Sequence, residues 1–181
     1  MKLIDEHRPL LRFIGLFLGL FVLLQLLYSQ YLMSYEHCDS MLDPFTHQLA
    51  LQVQWMLQQF TPHASIQWTT RNSGYWIWVN GHAVARIIEG CNAARIMALF
   101  VAFVVAFAKG WRRTFLFAIL GVLGIHIFNL FRISALALGI AAWPQSAHAL
   151  HEYLFPMLLY GFVMALWVYW VRQPFLVKNA T

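Results

Sequence analysis

The sequence predicts an all-α multi-pass membrane protein with about four transmembrane helices and an extracytoplasmic loop domain containing a small β-hairpin. Three observations carry this. Of the 181 residues, 61% are hydrophobic and only 10% are charged, against about 25% charged in a soluble domain; the mean hydropathy is +0.61. The apolar residues are gathered into runs close to the roughly 20 residues that span a bilayer. The one long polar stretch between the runs carries an Asn-Gly pair flanked by β-rich segments, the strongest short-range hairpin signal. At this length one integral membrane domain, residues 1–181, is the natural count.

Taken in order, residues 10–33 form the first span, an apolar run whose only charge is Arg12. A cleaved signal peptide is the rival reading, but the run is longer than a usual signal core and ends without an A-x-A-like site. Residues 34–90 are the extracytoplasmic loop. Within it, residues 39–60 read as partly helical, with Leu49, Val53, Met56 and Phe60 at helical spacing. Thr61-Pro62 and Asn72-Ser73-Gly74 read as turns. Residues 75–88 read as a hairpin closed by Asn80-Gly81, both tolerant of the positive φ that a type I′ turn needs.

Residues 93–108 form the second span. Lys109 to Arg113 is a tight basic loop, and residues 114–143 are a long apolar stretch broken by His126, Asn129 and Arg132. It reads as one helix emerging from the bilayer, or as a span followed by a re-entrant or interfacial piece. Residues 144–152 are a short polar loop, and residues 153–171 are the last span.

Lysine and arginine set the orientation. Lys2, Arg8, Arg12, Lys109, Arg112, Arg113, Arg172 and Lys178 flank one side, whereas the long loop holds only Arg71 and Arg86. The positive-inside rule then places both termini in the cytoplasm and the hairpin outside. The net charge of +5 is explained by these flanks. With no basic stripe and no nucleic-acid motif, the pattern argues against a nucleic-acid partner.

With this topology several polar residues fall at one depth. Cys91 begins the second span at the outer face. Arg132 lies 18 residues past Thr114, or about 27 Å at 1.5 Å per residue, close to the outer boundary of a core roughly 30 Å thick. His148 and His151 precede the last span on the same side. His126, Asn129 and Arg132 recur at three-residue spacing, roughly along one helix face. Ionisable groups inside a membrane default to functional or paired roles. Arg132 also reads as a snorkelling cation and His126 as a helix-packing hydrogen bonder. Glu89 and Arg95 flank the cysteine and also read as an ion pair across the helix start. Trp76, Trp78 and Trp143 read as interfacial aromatics.

A cysteine, a histidine and an arginine at one membrane face suggest covalent acyl transfer. A thiolate is favoured at a helix N-terminus and beside a cation. A histidine can take the thiol proton and return it to a leaving amine. An arginine can hold an oxyanion but cannot act as a base. The sequence has two cysteines, Cys38 and Cys91. Both would lie on the outer side, so a bridge between them and a free Cys91 thiol both stand.

Three segments resemble the exosortase/archaeosortase family, and within it the short exosortase F type. They are Asn80-Gly-His-Ala-Val-Ala-Arg-Ile-Ile-Glu-Gly-Cys-Asn-Ala93, Asn129-Leu-Phe-Arg132, and His151-Glu-Tyr-Leu-Phe-Pro-Met-Leu-Leu-Tyr-Gly161. The resemblance covers the C-terminal half, while residues 1–73 add compatible topology. It implies a membrane-embedded cysteine transpeptidase or protease. Its substrates would be exported proteins ending in a sorting signal: a short motif, a transmembrane helix and a basic tail. Position by position it implies Cys91 as nucleophile, Arg132 as the arginine of the N-x-x-R segment and His151 as the histidine before the last span. The family commonly has a small residue and glycine after the cysteine; here Asn92-Ala93 follow, as suits the F-type branch.

The candidate catalytic residues are therefore Cys91, Arg132 and His151, with Glu89, Asn92, Arg95, His126, Asn129 and His148 as supporting or substrate-binding residues. No organic cofactor and no metal is implied, and the bilayer is the expected surrounding. Two rivals remain. One is a non-enzymatic membrane assembly subunit whose hairpin grips a partner. The other is a metal-dependent hydrolase built on His148, His151 and Glu152 with His126 or His82, which lacks the H-E-x-x-H order.

Overall fold

The computed structural model describes residues 7–35, 42–69 and 74–173; Lys2, Cys38, Arg71 and Lys178 fall outside them. Helix α1 runs Arg8–Met33 and α2 runs Pro44–Gln58. Three strands follow: β1 Ser65–Thr69, β2 Gly74–Val79 and β3 His82–Ile87. A 3-10 turn, Glu89–Asn92, leads into α3 Ala94–Ala106, and α4 runs Trp111–Ala142. A 3-10 turn at Pro144–Ser146, a helical turn at Ala147–Ala149 and a π turn at Leu150–Leu154 lead into α5 Phe155–Arg172.

The chain is mostly helical, and among the described residues three helices are long and apolar enough to cross a membrane: Leu10–Met33, Glu89–Ala106 and Trp111–Ala142. The fourth apolar helix, Pro156–Arg172, is shorter. Helices suit these runs because hydrocarbon offers no partner to backbone N–H and C=O groups, so each segment must satisfy its own. Leu16, Leu23 and Leu26 of α1 stay half exposed, as a helix solvated by hydrocarbon leaves them. Helix α1 packs on α3 through Phe13, 4.3 Å from the Phe107 ring centroid, and through Phe17 edge-on to Phe103. Helices α3 and α4 meet at Gly121, where an added Cβ would lie 2.2 Å from Cζ of fully buried Phe100. Phe128 of α4 stacks on Phe162 of α5 at 4.8 Å.

One end of this bundle is tied by a lysine. The Lys109 ammonium donates to the carbonyls of Trp170 (2.7 Å), Val171 (2.9 Å) and Gln173 at the end of α5. They lie in the last turn, where intrahelical partners run out; the Trp170 carbonyl also accepts from the Gln173 amide at 3.3 Å. Trp170 Nε1 returns a bond to the Phe107 carbonyl at 3.1 Å. The connection between α3 and α4 is thus fastened to the C-terminus of α5.

The other end carries the sheet. Asp43 caps α2, accepting from the Phe45 and Thr46 amides at 3.1 Å each, with Pro44 at the first helical position, where its missing N–H is no loss. Asn80 and Gly81 take φ of 52° and 80°, as the type I′ turn requires. The sheet is antiparallel in the order β1-β2-β3, with a bulge at Ile77/Trp78. Tyr75, Ile77, Val79 and Ile87 face inward onto Leu49, Val53 and Leu57 of α2 and onto Leu130, Ile133 and Ala137 of α4. The Tyr75 hydroxyl, held protonated by burial that raises its pKa, lies 2.6 Å from His47 Nδ1. This core explains the length of α4. Its 32 residues reach about 48 Å at 1.5 Å per residue, and the last turns lie under the sheet.

The hairpin is present but is part of a three-stranded meander, because Ser65–Thr69 pairs with β2. Residues 144–152, expected as a polar loop, are largely helical: the turns that begin at Pro144 run without a break into α5. The apolar stretch expected over residues 114–143 is one helix as far as Ala142, with Trp143 capping it.

Gly121→Ala is expected to destabilise by about 1–3 kcal/mol through overpacking against Phe100. Gly15→Ala, whose Cβ meets nothing within 4 Å, should instead stabilise by up to about 1 kcal/mol through helix propensity. Thermal unfolding of the two variants in detergent checks the pair.

Candidate active site

The site is organised by the turn Glu89–Asn92. Leaving β3, the chain passes through extended Ile88 and then tightens, with the Cys91 amide donating to the Ile88 carbonyl at 2.8 Å. Ala93 follows in the left-handed region at φ 58°, a conformation uncommon for residues other than glycine. That reversal lets α3 start in a new direction. Cys91 therefore sits one turn before α3, and the first amide of the helix proper, Ala94 N, donates to Asn92 Oδ1 at 3.0 Å. The expectation of a thiol directly at the α-helix N-terminus is corrected to this extent.

Asn92 is an anchor beneath the turn. It is almost fully buried, and its Nδ2 donates to the Tyr28 hydroxyl at 2.7 Å and to Thr46 Oγ1 at 2.9 Å. Tyr28 in turn donates to the Glu89 carbonyl at 3.4 Å. On the opposite flank, fully buried Asn129 donates from Nδ2 to the Cys91 carbonyl at 2.7 Å. Its Oδ1 accepts from Arg132 Nη1 at 3.1 Å. One amide thus fixes both the cysteine backbone and the guanidinium.

Cys91, Arg132, His148 and His151 line a single cleft of about 310 Å³. Cys91 is half-buried and carries a free thiol. Arg132 is half-buried, within electrostatic reach of Cys91 and of the Tyr160 phenol. Its Nε is buried without a hydrogen-bond partner among the described residues. Both histidines are exposed; the His148 ring lies 6.1 Å from the Tyr153 ring, and His151 rides on the π turn, an irregularity frequent at functional sites. Ile133, Leu136 and Ile140 of α4 supply an apolar wall. In chemical terms the cleft brings together a thiol, two imidazoles and a guanidinium with an N–H to spare.

The other expected residues are placed elsewhere. Glu89 and Arg95 open on a second cleft of about 390 Å³, shared with Tyr28 and Gly90, because the tight turn and the reversal at Ala93 send neighbours of Cys91 in different directions. His126 also stays apart. Its Nε2 is 2.7 Å from Gln52 Oε1 on α2, and its ring stacks on Phe45 at 5.9 Å. Six residues of helix rotate by about 600°, which leaves His126 and Arg132 about 120° apart, so the shared face narrows to Asn129 and Arg132. Among the described residues, no three His, Cys, Asp or Glu side chains gather as a metal site would require.

Arg86 is the residue that spacing passed over. It borders both clefts and lies over the Trp76 ring at 5.8 Å. Its place on the strand leading into Cys91 was the available signal. Thr46, 45 positions before Cys91 in the chain, carried none.

In comparisons with protein-family models, with curated proteins and with solved structures, nothing matches the chain.

Replacing Asn129 separates its two roles. Asn129→Leu leaves a buried carbonyl and a guanidinium without their partner and should destabilise by about 1–3 kcal/mol. Asn129→Asp keeps the acceptor for Arg132, so its loss should be smaller than that of the leucine variant. Equal losses in thermal melts would mean that the bond to Arg132 contributes nothing.

Proposed function

We propose that this chain is a membrane-embedded cysteine transpeptidase or protease acting on the C-terminal sorting signals of exported proteins. The observation that supports it best is the convergence of Cys91, Arg132, His148 and His151, distant in sequence, on one cleft. The resemblance to the exosortase/archaeosortase family points the same way.

In this reading the chain makes four passes, with α5 as the fourth, in a bacterial inner membrane. Arg8, Arg12, Lys109, Arg112, Arg113 and Arg172 gather at the Lys109 end of the bundle, away from the sheet, which under the positive-inside rule is the cytoplasmic side. The cleft then faces the periplasm.

The chemistry follows from the groups present. His151, with His148 as the neighbouring alternative, accepts the Cys91 proton, and the thiolate attacks the scissile carbonyl. The tetrahedral oxyanion is held by the Arg132 guanidinium, whose buried Nε has a donor to spare. Collapse expels the amine, protonated by the same imidazole, and leaves a thioester on Cys91. An amine, a hydroxyl or water then attacks the thioester and regenerates the thiol. Such a site needs no cofactor.

Cys91→Ala should abolish processing while the protein still reaches the membrane. The check is mass spectrometry of the C-termini of exported membrane proteins in cells carrying either form. Tails lost in the native strain should be retained in the Cys91→Ala strain; identical C-termini in both would sink the reading. His148→Ala and His151→Ala, scored the same way, identify the base as the histidine whose removal stops processing.

A further inference from the structure

Apart from Arg86, Cys91, Arg132 and the two histidines, every residue lining the cleft is aliphatic. Ile77 of β2, Val84 and Ala85 of β3, and Ile133, Leu136 and Ile140 of α4 make most of this wall. Ile77 pairs with Ala85 and Trp78 with Ala83, so Val84 is the extra residue of a β-bulge. Strand side chains alternate between faces, and a bulge breaks the alternation and re-aims a side chain. Val84 and Ala85 accordingly both pack against the core beneath the sheet. The cleft is therefore a slot between the inner face of the sheet and α4, with the thiol in its lining.

Ile77 is fully buried and Ile133 and Leu136 are nearly so; they form the floor of this slot, whose volume is about 310 Å³. Water against such a floor finds no hydrogen-bond partner, so apolar atoms are its favoured occupant. Ile140 lies eight residues past Arg132, about 12 Å along α4 at 1.5 Å per residue. That length takes roughly three residues of an extended peptide at about 3.3 Å each. Helix α4 runs from the basic Lys109 end toward the sheet, so Leu136 and Ile140 lie beyond Arg132 on the side away from the basic end. A substrate whose scissile carbonyl meets Cys91 and whose tail descends into the bilayer sends the residues before that carbonyl along this wall.

We infer that this aliphatic slot is the acyl-donor subsite, and that it selects aliphatic side chains in the residues preceding the scissile one. The assignment rests on the peptidase reading and deepens it. Leu136 and Ile140 on α4, with Val84 and Ala85 on the sheet, are the specificity-determining side chains. A hydroxyl or amide carried into the slot loses its water and gains no partner from this wall.

The test uses the full-length protein in detergent and two chloromethyl ketones, acetyl-Val-Val-Val-Ala and acetyl-Thr-Thr-Thr-Ala. Cys91 Sγ, its proton lost to buffer, displaces chloride from either one to form a thioether. Threonine keeps the shape of valine and adds only a hydroxyl, so the pair isolates polarity. Each rate is divided by that of chloroacetamide, which has no peptide and reports the thiol itself. The valine probe should react at least roughly tenfold faster than the threonine probe. Ile140→Asn, which puts an amide into the half-buried rim of the slot, should narrow that ratio by roughly threefold or more. Equal rates for the two probes in the native protein overturn the subsite while the peptidase reading stands. A preference of the same size in the native and Ile140→Asn proteins assigns it to partition into detergent and also overturns the subsite. If neither peptide modifies Cys91 while chloroacetamide does, the peptidase reading falls together with the inference.

Discussion

Everything at the sheet end of the molecule depends on holding one short turn still. Glu89–Asn92 joins a strand to an apolar helix, and two buried asparagines pin it from opposite flanks. Asn92 reaches down to Tyr28 and Thr46, while Asn129 reaches across from α4 to the Cys91 carbonyl. Buried amides of this kind are costly when unpaired, so their satisfied state specifies a single arrangement of α1, α2, α3 and α4 around the cysteine. Asn129 then extends that constraint to Arg132. A thiol and a guanidinium on separate helices are thereby set in register by one side chain.

The opposite end uses a different device for the same purpose. There, Lys109 fastens the carbonyls that close α5. The turns bearing His148 and His151 run into its other end. The lysine at one end of the bundle and the asparagines at the other therefore both bear on the cleft, through the rigidity of α4 and α5. The apolar contacts between them, such as Phe100 on Gly121 and Phe128 on Phe162, set how closely the helices approach.

The long helices were legible because hydrocarbon leaves an apolar run no other regular structure, and the hairpin because Asn80-Gly81 has few other uses. Strand β1 was not: Ser65-Ile-Gln-Trp-Thr69 is short and half-polar, and it is a strand because β2 lies beside it. The segment after Trp143 looked like a loop, since Pro144 and its polar neighbours carry turn signals, yet its helicity comes from continuity with α5. At the site, reasoning by depth placed Cys91, Arg132, His148 and His151 at one level, and these four line one cleft. Depth carries no information on azimuth, so it did not separate His126 from Arg132. It also did not foresee that the reversal at Ala93 would turn Glu89 and Arg95 to a different cleft.

The proposed function makes Cys91 a nucleophile supported by Arg132 and a histidine on the face away from the basic end. Its most direct test is the rate and sidedness of Cys91 alkylation by a membrane-impermeant maleimide, in a Cys38→Ser background. Intact spheroplasts should be labelled from outside, and labelling should slow when either Arg132 or the active histidine is replaced by alanine. Labelling confined to inside-out vesicles, or a rate indifferent to all three of Arg132, His148 and His151, would contradict it.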